Sequence, residues 1–199
     1  MARSEDPIKR IESLLPGVLA VDRLKARREI QRLYVRKGRA WPAEKIKKQL
    51  AELEKRLKAS VQKRDRRRAN LPPFRFNEEL PIFAKKDEII EAITRHRVIV
   101  VSGETGSGKT TQLPQYCLAA GRGIDGLIGC SQPRRIAATT VSRRIAEELG
   151  QEPGQAIGYK IRFKDRTRKD GYIKIMTDGI LLAETQSDQI GRASCRERV

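Results

Sequence analysis

The sequence predicts an α/β fold with a parallel sheet, preceded by a separate basic helical region. Three observations lead to this prediction. Residues 1–70 show helical spacing of apolar residues, whereas residues 83–189 alternate short apolar runs with helical stretches. Leu71-Pro72-Pro73 opens a linker, residues 71–82, between the two parts. A glycine-rich loop joins a β-forming run to a helix near the start of the second part.

Two amphipathic helices are expected in residues 1–40. The apolar face of the first is interrupted at Pro16-Gly17, and the second helix ends near Gly38. The first face consists of Ile8, Ile11, Leu14 and Leu15. The second consists of Leu24, Ile30, Leu33 and Tyr34.

The charge balance favours a polyanionic partner. The net charge is +18, and residues 1–80 hold 23 Lys and Arg against 11 Asp and Glu. Such an excess favours nucleic acid first and an anionic membrane surface second. The sequence has no run of about 18 apolar residues, which argues against a membrane span, and no apolar stretch typical of a secretory signal.

The strongest helical pattern begins at Pro42, a residue that suits the first position of a helix. Its apolar residues recur at steps of three and four, close to a coiled-coil seam. They are Ile46, Leu50, Leu53, Leu57 and Val61. One interpretation is a helical hairpin or small bundle packed on its own seam. The other is a basic RNA-binding appendage, and the two are compatible.

The run Lys63–Arg68 (KRDRRR) has two interpretations of similar weight, a solvated helix end and a phosphate-binding tail. The three cysteines, Cys117, Cys130 and Cys195, lack metal-binding spacing. That pattern favours reduced thiols in a cytoplasmic protein.

The glycine-rich loop is the most informative stretch of the chain. Val98–Val101 is a short apolar run of β-formers, which predicts a strand buried on both faces of a sheet. Gly103–Thr110 (GETGSGKT) then fits the pattern G-x-x-x-x-G-K-[ST], and residues 111–120 can form a helix. Strand, loop and helix in this order are the context of a P-loop. The alternative is a glycine-rich turn that happens to carry a lysine.

The residue types in the loop suit the binding of a triphosphate. Gly103, Gly106 and Gly108 allow the backbone N–H groups to approach phosphate oxygens closely. The N-terminus of the following helix favours an anion. Lys109 would place a positive charge on the β- and γ-phosphates, and the hydroxyl of Thr110 would bind Mg²⁺.

The pattern after the loop predicts three more strands and two more helices. The strands are expected over residues 126–131, 157–163 and 172–176, and the helices over residues 134–149 and 178–183. Strands that alternate with helices predict a parallel sheet with helices on both faces.

Three segments, in this order, closely resemble the first RecA-like domain of the DEAH-box RNA helicases. They are GETGSGKTTQLPQ at residues 103–115, QPRRIAA at 132–138 and MTDGILL at 176–182. The segment IGYKIRF and the basic helical N-terminus look most like the bacterial HrpA type. The likeness is strong over residues 81–189 and loose over residues 1–80, and it implies an incomplete RecA-like domain in residues 83–189.

The resemblance implies ATP and Mg²⁺ as cofactors and single-stranded RNA, held by its backbone, as the partner. Lys109 and Thr110 match the residues that bind phosphate and Mg²⁺ during catalysis. Arg144 matches an arginine that stacks on adenine, although it could also be an ordinary surface residue. The implied nucleotide-binding set is Gly103, Glu104, Thr105, Gly106, Ser107, Gly108, Lys109, Thr110, Thr111 and Arg144. The implied RNA-binding set is Arg134, Arg135, Thr177 and Asp178.

The sequence also departs from the family pattern. The Asp-Glu-Ala-His motif, the Ser-Ala-Thr motif, the second RecA-like domain and its arginine finger are not found in these 199 residues. Since phosphoryl transfer needs all of these groups, we expect weak nucleotide binding and no ATPase activity or unwinding from this chain alone. Two alternatives remain, another P-loop enzyme such as a kinase and a non-enzymatic nucleic-acid-binding fragment.

Two further expectations concern the end of the chain and its stability. Residues 190–199 (IGRASCRERV) resemble the translation of a common sequencing-library adapter rather than the family, although a genuine basic tail is the alternative. The resemblance also implies that two missing strands lie between those present. We therefore expect exposed edges on the Val98–Val101 strand and an α/β part that is marginally stable or prone to aggregation.

Overall fold

The computed structural model describes residues 7–37 and 42–187. It divides into two compact units, with the boundary between Asn70 and Leu71. The expectations for Gly38 and for residues 190–199, including Cys195, lie outside the described residues.

In the first unit, residues 7–37 and 42–70 form three helices around one apolar core. They are α1 (Pro7–Leu14), α2 (Ala20–Lys37) and α3 (Ala43–Ala69), and a short 3₁₀ turn, Leu15–Gly17, follows α1. The predicted seam of α3 is buried at Leu50, Leu53 and Leu57, and Ile46 and Val61 pack partly against it.

Two details of the first unit differ from expectation. Tyr34 does not join the core, since it is 51% exposed, and Ala26 lies on the buried face of α2 instead, with Ile30 and Leu33. A tyrosine on the buried face of α2 would have to bury its hydroxyl group, whereas the small side chain of Ala26 allows the helices to approach each other. Pro42 precedes the first residue of α3 rather than opening the helix.

Polar contacts lock α2 against the rest of the first unit. Ser60 Oγ donates to Asp22 Oδ2 at 2.6 Å and accepts from the backbone N–H of Leu19 at 3.1 Å. Arg56 forms an ion pair with Glu29, at 2.5 Å between Nη2 and Oε2. Both carboxylates of α2 are therefore held by α3.

The second unit alternates helices and strands. Its helices are α4 (Lys86–Arg95), α5 (Lys109–Ala119), α6 (Arg135–Glu148) and α7 (Asp178–Ser187), and a 3₁₀ turn, Pro81–Lys85, precedes α4. Its strands are β1 (Ile128–Gln132), β2 (Ile157–Ile161), β3 (Lys164–Arg166) and β4 (Ile173–Thr177). The predicted strands after the loop are thus all present, with ends shifted by one or two residues, whereas β3 was not predicted. The final helix extends four residues beyond the predicted end at Ala183.

The four described strands form one sheet in the order β1-β4-β2-β3. β4 pairs in parallel with both β1 and β2, and only β3 is antiparallel to its neighbour. Gln132 at the end of β1 lies directly beside Thr177 at the end of β4. The segments that follow these two strands consequently start from the same edge of the sheet.

Helices cover both faces of this sheet. Ile173 and Ile175 of β4 share a core with Ile145 of α6, whereas Lys174 of the same strand bonds to Glu184 of α7. Successive side chains of a strand point to opposite faces. The sheet of the second unit is therefore a middle layer, as predicted for a three-layer α/β arrangement.

The predicted strand at Val98–Val101 is the main error of the sequence-based interpretation. The structure assigns no strand to these residues, and Val98 and Val100 are 82% and 91% exposed. Only Ile99 and Val101 pack partly against the core. The run has a β-forming sequence, but none of the four described strands pairs with it, so its backbone edges and half of its side chains face solvent.

No helix in the described part of the chain combines the length and the apolar character that a membrane span requires.

A carboxylate on α7 ties this helix to the sheet and should respond to pH. Glu184 accepts hydrogen bonds from Lys174 Nζ at 2.6 Å and Lys160 Nζ at 2.8 Å, and Lys160 also faces Asp165 at 3.6 Å. Burial acts to raise the pKa of Glu184, but the hydrogen bonds from Lys160 and Lys174 outweigh it and leave the pKa below its ordinary value.

Because the pKa of Glu184 is lowered by folding, its contribution to stability should be present at neutral pH. That contribution should be lost as the pH falls below about 4, through the lowered pKa. The wild-type chain and Glu184→Gln should therefore differ in their free energy of urea unfolding at pH 7 and should differ less at pH 3. An equal difference between the two proteins at both pH values would contradict this assignment.

Candidate nucleotide-binding site

The glycine loop adopts the backbone conformation that its sequence predicts. Gly106 and Gly108 have φ values of 86° and 90°, in the left-handed region that glycine adopts without strain. Gly108 directly precedes α5, and a Cβ on it would lie 2.7 Å from Leu80 Cδ1. A side chain at Gly108 would therefore be strained in its backbone and would also collide with Leu80.

Lys109 points its ammonium group into the loop. Its Nζ donates to the carbonyl oxygen of Gly103 at 2.7 Å, to that of Glu104 at 2.6 Å and to the hydroxyl of Ser107 at 3.0 Å. Three oxygens of the loop thus surround one cation at the N-terminal end of α5. A charged oxygen of a polyphosphate would replace these loop oxygens as the partner of the ammonium at little cost in free energy, because hydrogen bonds between two charged groups are stronger than those to neutral oxygens.

The 3₁₀ turn before α4 supports the loop from outside. The backbone N–H of Ile82 donates to the carbonyl oxygen of Ser107 at 3.2 Å. The backbone N–H of Gln112 donates to the carbonyl of Gly108 at 2.9 Å and begins the ladder of α5. The loop borders an open cleft of about 640 Å³, whose apolar lining includes Ile82, Ile89, Ala92, Ile99 and Val101.

The residues at the mouth of the loop are open to solvent. Glu104, Thr105 and Thr110 are exposed, and Thr110 is the second residue of α5. Thr111 instead turns its hydroxyl back to the carbonyl of Gly108, at 3.2 Å. An exposed hydroxyl beside an ammonium at a helix N-terminus fits the binding of Mg²⁺ together with a phosphate. The hydroxyl and the phosphate would both supply oxygen atoms, which are the ligands that Mg²⁺ prefers.

A largely buried carboxylate, that of Glu148, joins α5 to α6, and sequence analysis missed it. Glu148 Oε2 accepts hydrogen bonds from the side-chain amides of Gln112 at 2.8 Å and Gln115 at 2.6 Å. Both glutamines are fully buried. Gln112 stands one helical turn after Lys109, so this contact fixes the start of α5 against α6. The signal in the sequence was the pair of glutamines within TTQLPQ. The local sequence does not reveal that both are buried or that their partner is distant along the chain.

Arg144 is attached to the same carboxylate. Its Nε donates to Glu148 Oε1 at 3.0 Å, and its side chain is 58% exposed. Glu148 thereby links Arg144 to Gln112, which lies one helical turn after Lys109 on α5. Arg144 lies at the surface of α6, which agrees both with an arginine that stacks on adenine and with an ordinary surface residue. Stacking of Arg144 on adenine stays a prediction.

The four residues predicted to contact RNA gather at one edge of the sheet. Arg134 and Arg135 follow β1 at the start of α6, and both are exposed. Thr177 ends β4 and Asp178 begins α7. Since β1 and β4 are adjacent and parallel, two cations, a hydroxyl and a carboxylate follow neighbouring strand ends. The fold has brought together segments that are more than 40 residues apart.

The two described cysteines are buried thiols. Burial, and to a smaller extent the neighbouring Cys117, raises the pKa of the Cys130 thiol far above its usual value. A thiol in this state is a poor nucleophile and metal ligand, since both roles require the thiolate. Cys130 is therefore a core residue.

These features define a class. The second unit is an α/β layer structure in which a glycine-rich loop leads into a helix and holds a lysine at that helix's N-terminus, an arrangement compatible with part of a nucleotide-binding domain.

Comparison with known proteins specifies the class further. The chain is 57% identical over 124 residues to the ATP-dependent RNA helicase HrpA of Escherichia coli (strain K12), a match that covers 62% of this chain and 10% of that protein. It is 51% identical over 147 residues to an HrpA homolog of Haemophilus influenzae, covering 73% of this chain and 11% of that protein. No protein-family model matches the chain.

The chain is therefore related to the HrpA-type ATP-dependent RNA helicases, and the resemblance predicted from its motifs is confirmed. It spans about a tenth of the length of these two relatives.

Proposed function

We propose that this chain carries part of the ATP-binding, first RecA-like domain of a DEAH-box RNA helicase. The observation that supports this most directly is the Lys109 ammonium, held by three loop oxygens at the N-terminus of α5. It occurs in a chain at least half identical, over the matched residues, to relatives named ATP-dependent RNA helicases.

In this proposal, residues 103–111 bind the phosphates of ATP. The N–H groups of the loop and of the first turn of α5 meet phosphate oxygens, and Lys109 exchanges its carbonyl partners for the β- and γ-phosphates. Thr110 supplies a hydroxyl ligand to Mg²⁺, which when bound neutralises part of the phosphate charge. Arg144, oriented by Glu148, stacks on the adenine.

The RNA contacts in this proposal come from the sheet edge where β1 and β4 end. Arg134 and Arg135 bind phosphates of a single strand, and Thr177 and Asp178 contact the adjacent sugar-phosphate backbone. Such contacts hold a strand without reading its bases. Because α5, α6 and β4 share one core, the ATP loop and this edge belong to one packed unit.

In the complete protein, ATP binding and hydrolysis would drive the unwinding of RNA. The described residues supply phosphate binding, but these 199 residues contain no Asp-Glu-Ala-His sequence to provide the second metal ligand. We therefore expect binding without turnover.

Two other functions remain as alternatives. Another P-loop enzyme, such as a kinase, would not need Arg134 and Arg135, which follow β1 beside the end of β4. A non-enzymatic nucleic-acid-binding fragment would bind RNA but not nucleotide, so nucleotide binding separates it from the helicase proposal.

Binding and turnover of ATP by the same protein sample test the proposal. Titration with a fluorescent ATP analogue in the presence of Mg²⁺ should give weak, saturable binding that unlabelled ATP displaces. Phosphate release should stay at the background rate, with and without RNA, and a duplex RNA should not be separated. Absence of saturable binding would contradict the nucleotide site, and ATP-dependent strand separation would contradict the expected inactivity.

A further inference from the structure

The outward face of α2 is cationic and has no exposed carboxylate. Among its described side chains the exposed charged ones are Lys25, Arg28 and Arg32, which lie within about 60° of one another around the helix, and Arg27, which lies about 100° from Arg28. These four residues are here called the α2 cationic face. The two acidic residues of this helix are both engaged by α3, since Asp22 accepts from Ser60 and Glu29 pairs with Arg56. The acids of α2 thus hold the unit together and leave the cations to face solvent.

The fold itself makes no use of the α2 cationic face. Within residues 7–37 and 42–187, none of its four side chains makes a hydrogen bond or an ion pair. Other cations of the first unit do have structural partners. Arg23 Nε donates to the carbonyl of Leu15 at 2.9 Å, and Lys58 Nζ lies 2.8 Å from a Glu54 oxygen.

Like charges at this spacing weaken a helix rather than stabilise it. Lys25 and Arg28 are three residues apart, and Arg28 and Arg32 are four apart, so each pair is adjacent on the helix surface and repels. A row of mutually repelling cations without structural contacts is explained by an anionic partner that is not part of this chain.

We propose that the α2 cationic face binds the phosphate backbone of RNA, separately from the ATP loop. The four cations span about 10.5 Å along the helix axis, enough to face several phosphates of a strand. Arginine, which provides three of the four, binds phosphate through two parallel N–H donors.

An anionic membrane would also attract these charges, but α2 has no apolar face to insert. Its apolar face, Ala26, Ile30 and Leu33, is buried in the core of the first unit. The exposed valines, Val21 and Val35, stand near opposite ends of the helix and form no continuous stripe. Helices that lie on membranes need such a stripe, so RNA is the better match.

The full chain with all four cations changed to glutamine tests this proposal. Fluorescence anisotropy with a labelled oligouridine, measured from about 50 to about 200 mM salt, gives the affinity and its salt dependence. Loss of four phosphate contacts should weaken binding about 10- to 100-fold and reduce the slope of log K against log salt by about 3. An unchanged slope would overturn the proposal.

A variant with the same loss of charge elsewhere controls for net charge. Arg75, Arg95, Lys164 and Lys169 are exposed cations of the second unit. Their joint change to glutamine should alter the affinity for the oligouridine less than about threefold, as expected for cations that make no phosphate contact. Equal losses in the two variants would show that only net charge matters and would overturn the assignment to α2.

Three further measurements complete the test. Circular dichroism should show unchanged helix content in the fourfold variant. If the helix content falls, the double variant Arg28→Gln/Arg32→Gln should show about half the change in slope.

Lys109→Ala should leave oligouridine binding unchanged, so failure of the ATP site and failure of the α2 cationic face are distinguishable. Binding to phosphatidylserine vesicles without binding to the oligouridine would overturn the choice of RNA.

Discussion

Replacement of Lys109 by alanine is expected to weaken ATP binding at least about 100-fold, which corresponds to about 2.7 kcal/mol. The side chain brings the ammonium to the centre of the loop, within 3.0 Å of three oxygens. In the proposed complex that charge faces two phosphates, and hydrogen bonds to charged groups are among the strongest in proteins. Competition between ATP and a fluorescent ATP analogue measures the loss.

Lys85 provides a matched control for Lys109. It borders the same cleft, but its ammonium pairs with Glu88 at 2.8 Å, whereas that of Lys109 is bonded to the loop oxygens. Lys85→Ala should therefore change the affinity for ATP less than about threefold, as is usual for an exposed ion pair. If Lys109→Ala retained the wild-type affinity, or if the two variants lost affinity equally, the assignment of Lys109 to the phosphates would be wrong.

Replacement of Glu148 by alanine is expected to destabilise the second unit by about 3 kcal/mol, because two buried amides lose a charged acceptor and a hydrogen bond to a charged group contributes about 1.5–3 kcal/mol. Gln112 and Gln115 would keep only their longer contacts with Thr111. Glu148 is only 11% exposed, and it accepts from both Gln112 and Gln115. Since the unit is expected to be marginally stable, this loss can remove its cooperative unfolding transition entirely. Urea unfolding followed by circular dichroism measures the change.

Two neighbouring variants separate the buried contacts from the exposed ones. Glu147 is exposed on the same helix, so Glu147→Ala should change stability by less than about 0.5 kcal/mol. Arg144→Ala removes only the partly exposed ion pair to Glu148 and should cost less than about 1 kcal/mol. Equal destabilisation by Glu147→Ala and Glu148→Ala would refute the role given to the buried amides.

Sequence patterns predicted those parts of the fold that depend on near neighbours. The seam of α3 was predicted because apolar residues at helical spacing must be buried together, and Leu50, Leu53 and Leu57 are buried. The loop was predicted because glycines before Lys-Thr allow the left-handed conformation found at Gly106 and Gly108. The prediction failed at Val98–Val101 because a strand needs a pairing partner, and a β-forming composition supplies none.

The amino-acid sequence by itself determined the helices of the first unit and the left-handed glycines of the loop before α5. Each of these follows from backbone preferences and apolar spacing within a few residues. Only the tertiary structure decided that Glu148 meets Gln112 across 36 residues of chain, and that the ends of β1 and β4 share an edge. It also decided that the carboxylates of α2 bond to α3 while Lys25, Arg27, Arg28 and Arg32 face solvent. Such contacts depend on how whole elements pack, and the spacing of residues along one element does not specify the partner it will meet.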